Sequence, residues 1–148
     1  MSKIKVRTLD CGVRVIMEKI DYVKSAAFGV WVKAGAVCET PANSGVSHFI
    51  EHMMFKGTEK RNARQIAEDI DKIGGQMNAF TGKEATCYYV KTISDNLEKG
   101  AEVILDMLNN AVFDRTSGDY FKGLLDGTIS IDAFHDYMMQ FPKPDNEM

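Results

Sequence analysis

Gly45-Val-Ser-His-Phe-Ile-Glu-His-Met-Met-Phe-Lys-Gly-Thr58 is the stretch on which the reading of the chain turns. Val46, Phe49, Ile50 and Met53 recur at i, i+3, i+4 and i+7, which predicts a helix with one apolar stripe for a core. Gly57 ends it. Inside this helix, His48-Phe-Ile-Glu-His52 has the pattern H-x-x-E-H. Two His four residues apart stand one above the other on a helix, so both imidazoles can reach one Zn²⁺. Glu51 projects from nearly the same side and can take a proton from a metal-bound water, then give it to a leaving amine. At about 100° per residue from Val46, His48, His52 and Glu51 fall near ~200°, ~240° and ~140°. The expectation is a polar trio opposite the core, open to a cleft. The bland alternative is an exposed polar helix face. Because the chain holds only three His, two of them in this pattern with a Glu favour metal chemistry.

Working outward, residues 5–9 and 13–17 read as strands joined around Asp10-Cys-Gly12, a hairpin. Residues 26–32 form an apolar run with Phe28, Val30, Trp31 and Val32, as expected of a strand covered on both faces. Pro41, Asn43, Ser44 and Gly45 are turn residues. On the other side, Ala63, Ile66, Ala67, Ile70 and Ile73 predict a second helix over 62–73, with Asn62 as N-cap and Gly74-Gly75 as its stop. Two strands follow over 76–81 and 85–93, then a third helix over 96–112 bearing Leu97, Ala101, Ile104, Leu105 and Leu108. The order strand, strand, strand, helix, helix, strand, strand, helix predicts an α+β fold: an antiparallel-rich sheet with helices packed on one face. After Asp114 the segment is broken by Gly118, Gly123 and Gly127. A last amphipathic helix is expected over 130–141, and the polar end, 142–148, is expected to be disordered.

The composition is that of one ordinary globular domain: 148 residues, 45% hydrophobic, 26% charged, net charge −3. The charge speaks against nucleic acid or an anionic membrane as the main partner. No apolar run reaches membrane-spanning length, and the first residues lack the look of a signal or transit peptide. Cys11, Cys38 and Cys87 are isolated, as expected of reduced structural thiols. A cytoplasmic location is the expectation that follows. His135 reads as a surface histidine.

Beyond the motif, Leu9-Asp-Cys-Gly-Val-Arg-Val15, Gly74-Gly-Gln-Met-Asn-Ala-Phe-Thr81, Glu84-Ala-Thr-Cys-Tyr-Tyr89 and Val112-Phe-Asp114 make the chain resemble the N-terminal part of a pitrilysin-type (insulinase-like, inverzincin) zinc metallopeptidase. Its bacterial processing-peptidase-like members are the most similar. The resemblance runs over residues 3–114. It implies half of a clamshell that closes, with a second homologous half or partner chain, on an unfolded or presequence-like peptide. It implies Zn²⁺ held by His48, His52 and a distal Glu, with Glu51 as the catalytic general base of a metalloendopeptidase. It also implies that Asn78, Ala79, Phe80 and Thr81 lie along the substrate, where an edge strand offers its backbone to an extended peptide.

The tail departs from that pattern. In the family the distal Glu stands about 77 residues after the motif Glu, which here is Thr128, a poor zinc ligand; Phe121 stands where the family has another acidic residue. Asp119, Asp126 and Asp132 are conceivable substitutes, so the third ligand stays unassigned. Asp126-Gly-Thr-Ile-Ser130 has the look of an EF-hand centre, but Lys122, Leu124 and Ala133 occupy ligand positions and exclude calcium. The chain therefore divides into a partial metallopeptidase domain over 1–114, a divergent helical tail over 115–141 and the end at 142–148. The expected function is a zinc-dependent metalloendopeptidase domain, truncated or inactive as an isolated chain. The alternative is a non-catalytic family member acting in assembly or peptide binding.

Overall fold

The structure, a computed structural model, describes residues 3–113 and, beyond them, 119, 122, 123, 126–128, 130, 133 and 136. Asp114, Phe121, Asp132, His135, the end at 142–148 and most of the helix expected over 130–141 lie outside the described residues.

Strands β1 (Lys3–Thr8) and β2 (Arg14–Lys19) pair antiparallel, with Val6 opposite Ile16. Their turn needs Gly12, whose φ of 88° is left-handed. This hairpin forms a sheet of its own. Strands β3 (Ser25–Val32), β4 (Gln76–Thr81) and β5 (Thr86–Ile93) form a second, antiparallel sheet in the order β3-β5-β4. Between β3 and β4 lie two helices, α1 (Val46–Met54) and α2 (Ala63–Lys72), and α3 (Leu97–Asn110) follows β5.

The register puts Met77 and Ala79 of β4 beside Val90 and Tyr88 of β5, and these beside Phe28 and Val30 of β3. Period-two alternation points all six to one face. There they pack with Ile66 and Ile70 of α2, with Ile73 just after it, and with Val103, Ile104 and Met107 of α3. Each such aliphatic side chain stabilises the fold by about 1.5–3 kcal/mol on full burial. Asn62 caps α2 as the sequence predicts, accepting from the Gln65 N–H at 2.9 Å.

One expectation fails at β3. Among the described residues it is an edge strand with helices on one side only, and Trp31, pointing the other way, is 65% exposed. A run of apolar residues does not tell two covered faces from one covered face and one aromatic one. Trp31, Phe80 and Tyr89 gather on that second face, with Trp31 and Phe80 edge-to-face at 5.4 Å.

The loop leaving β3 is fastened to the turn between β4 and β5. Ala36 and Val37 donate their N–H groups to Gly82 and Lys83 carbonyls at 3.2 and 2.9 Å, and Thr86 Oγ1 donates to the Ala34 carbonyl. Gly35 makes this possible, because a Cβ there would come within 2.5 Å of the Gly82 oxygen. The segment that leads into α1 thus starts from a fixed point on the β4–β5 hairpin.

Candidate metal centre

Helix α1 brings its two histidines together. His48 and His52 are four residues apart, and their Nε2 atoms stand 2.9 Å from each other. Two imidazole nitrogens sharing one tetrahedral Zn²⁺ are about 3.3 Å apart, so the pair needs to open by only a few tenths of an ångström to hold an ion. His48 is exposed and His52 half-buried, which leaves the pair accessible. The spacing of the two imidazoles fits a metal.

Glu51 sits differently from the expected open trio. It is 0% exposed, and its Oε2 accepts a hydrogen bond from Thr81 Oγ1 at the end of β4. The helix is not covered on a single stripe. Phe49 and Met53 are buried, while Val46 and Ile50 are only half-buried, and α1 lies against β4. A short helix laid across a strand buries more than one stripe, and a carboxyl group tolerates such burial when a donor meets it. Tyr88 also lies near: burial first, and the Glu51 charge second, push its phenol up.

Asn78, Ala79, Phe80 and Thr81 occupy β4, which stands at one end of the strand order. Ala79 and Thr81 share the helix-side face with Glu51, while Asn78 and Phe80 take the opposite face. The Asn78 side chain accepts from the Ala79 N–H at 2.8 Å. Of the four, Thr81 is joined by a hydrogen bond to Glu51 of the H-x-x-E-H helix.

Sequence reasoning missed Glu39. Its carboxylate accepts from the Gly45 N–H at 2.7 Å and from the Ser47 N–H at 2.9 Å, at the start of α1. Burial alone would raise its carboxyl; the bonds from Gly45 and Ser47 outweigh this, His48 adds its attraction, and the group is held below the usual carboxylate range. An acid six residues upstream of a helix N-cap, across a turn, has no periodic signature, so nothing in the sequence pointed to it.

A third ligand is absent among the described residues, where no cluster of three His, Cys, Asp or Glu side chains could hold a metal. Thr128 lies in an exposed turn, its N–H and Oγ1 both bound to Asp126 Oδ1, at 3.0 and 2.7 Å. Neither Asp119 nor Asp126 joins the histidine pair. No helix among the described residues is long and apolar enough to cross a membrane.

Known proteins place this geometry. The chain is 49% identical over 111 residues to an uncharacterized zinc protease of Bacillus subtilis, covering 75% of this chain and 27% of that protein. It is 45% identical over 111 residues to the mitochondrial-processing peptidase subunit beta of Dictyostelium discoideum, covering 74% of this chain and 24% of the other. The fold matches the crystal structure of a protease from Helicobacter pylori with a TM-score of 0.74 at 24% identity, over 86% of this chain and 31% of that one. The chain thus spans about a quarter to a third of the length of these proteins. The profile of the insulinase family, peptidase family M16, matches residues 14–122 and so runs past Asp114 into the tail. A match over well more than half of the chain, which takes in the helix of His48, Glu51 and His52, makes this protein a member of the insulinase family, M16.

Proposed function

We propose that this chain is the metal-binding part of a zinc-dependent metalloendopeptidase. His48 and His52 would hold the zinc and Glu51 would act as general base. The approach of the two Nε2 atoms to 2.9 Å carries this reading. The names of the relatives, zinc protease and processing peptidase, support it. Zinc, when bound, supplies Lewis acidity to a water molecule and a peptide carbonyl. Glu51 takes a proton from the attacking water at a carboxylate oxygen and returns it to the leaving amine. The hydroxyl of Thr81 orients that carboxylate by occupying Oε2. Burial of Glu51 keeps bulk water from competing for the proton. An unfolded or presequence-like peptide would add to the sheet along Asn78–Thr81, an assignment supported by the terminal position of β4. Closure over such a peptide needs a second homologous half, which we assign to chain beyond this one or to a partner subunit. We place the protein in the cytoplasm.

A second reading, a non-catalytic member acting in assembly or peptide binding, is favoured by one observation: Thr128 is engaged with Asp126 and offers no carboxylate. Zinc titration by calorimetry beside a quenched-peptide assay separates the two. Zinc binding abolished by His48→Ala, with cleavage appearing when a homologous half is added, is the expected result. Zinc binding unaffected by His48→Ala would sink the metal reading. Zinc bound through His48 without cleavage in any assembly would establish the second.

A further inference from the structure

The helix that carries the metal ligands has no cap of its own. Its N-cap residue is Gly45, in the left-handed region at φ 90°, with no side chain to offer the first turn. The first N–H groups of a helix lack intrahelical partners and need acceptors from elsewhere. In α2 the N-cap Asn62 supplies one in the ordinary way. In α1 the acceptor is Glu39, which spans the 3-10 turn Pro41–Asn43 and takes the Gly45 and Ser47 N–H groups on its two oxygens. The Ser47 hydroxyl adds a further bond.

We propose that Glu39 is a positioning residue of the metal centre, its carboxylate clamping the first turn of α1 on which His48 stands. The inference rests on the zinc reading given above. His48 is the third residue of the helix and His52 the seventh. Fraying of the first turn moves the former against the latter, and their Nε2 atoms no longer converge. The clamp is anchored at its other end. Glu39 follows the 3-10 turn Ala36–Cys38, whose Ala36 and Val37 N–H groups are bonded to the Gly82 and Lys83 carbonyls in the β4–β5 turn. Thr81, the last residue of β4, holds Glu51 in the same helix. The hairpin thus sets α1 from both sides: Thr81 holds the base directly, and Glu39 holds the turn that bears the first ligand.

The test is zinc calorimetry on the full chain, with thermal unfolding of the metal-free proteins alongside. Glu39→Ala is expected to weaken zinc binding roughly tenfold or more, the range for loss of a residue supporting a ligand. Glu39→Gln, which keeps one acceptor oxygen, should fall between. Asn62→Ala removes the cap of α2 instead; it should lower Tm by a similar amount yet leave zinc affinity within about twofold. That contrast separates positioning from a general loss of stability. If Glu39→Ala does not fold, Glu39→Gln against Asn62→Ala carries the same comparison. Zinc affinity unchanged in a folded Glu39 variant, or weakened equally in Asn62→Ala, overturns the proposal alone. No zinc binding by the unmodified chain, or binding indifferent to His48→Ala, overturns the zinc reading and this one with it.

Discussion

Glu51 shows how a single side chain can belong to two elements at once. The spacing of the motif puts it on the helix with His48 and His52, and the hydroxyl of Thr81 reaches it from β4. In the proposed role of base and not ligand, Glu51→Gln is expected to leave zinc affinity within about threefold while removing any peptide cleavage by the chain assembled with a homologous half. Loss of zinc binding in that variant would mean that Glu51 ligates the metal. Thr81→Val removes one donor from a fully buried carboxyl group and is expected to cost about 1–3 kcal/mol in urea unfolding. Thr81→Ser, which keeps the hydroxyl, should recover most of it. Equal stability of Thr81→Val and the parent would show that the hydroxyl bond contributes nothing.

Among the elements, the ties between loops and helices matter more than their lengths. Arg61, in the loop between α1 and α2, reaches Asp106 at 2.7 Å, Asp69 at 3.0 Å and Glu102 at 2.9 Å, and Thr58 Oγ1 donates to the same Asp106 oxygen at 2.8 Å. Burial would raise the Asp106 carboxyl; bonds from Asn110, Thr58 and Arg61 outweigh it and hold the group below its usual range. Asp69, bonded by Arg61 and Lys72, is lowered as well. A carboxyl whose folded pKa is depressed stabilises the fold fully above its unfolded pKa and loses that contribution as pH falls through the folded value. Stability measured by denaturant is therefore expected to hold above the ordinary aspartate value of 3.8 and to decline below it. Asp106→Asn should flatten that acid limb; an unchanged limb would assign acid unfolding to other groups. At the other tie, Gly35→Ala drives a Cβ into the Gly82 and Lys83 backbone. It should cost about 3 kcal/mol in the same measurement, and a neutral effect would show that the β4–β5 turn yields freely.

As a whole molecule, the chain presents apolar surface on two sides. The β1–β2 hairpin exposes Ile4, Val6 and Ile16, and the outer sheet face exposes Trp31 and Phe80. Apolar patches of this kind are uncommon on proteins that act alone. The isolated chain is expected to self-associate with rising concentration in sedimentation velocity, more strongly in sulfate, which strengthens apolar burial. A sharp monomer at all concentrations would show that these faces tolerate water. At the candidate metal centre two imidazoles converge, and no third ligand joins them among the described residues.

Much of this protein was legible in its residues because local physics dictated it. The period of Ile66, Ile70 and Ile73 made α2, Asn62 capped it, the strand-like stretches 76–81 and 85–93 around Gly82-Lys83 made β4 and β5, and His48 and His52 had to share a helix face whatever surrounded them. The tertiary structure decided what depends on contacts between distant segments. It buried Glu51 against Thr81, thirty residues away, where helical angles alone had turned it outward. It left β3 at an edge with Trp31 in water, and it carried Glu39 across a turn to cap α1. Periodicity records which residues share a face of one element; only packing decides what that face meets.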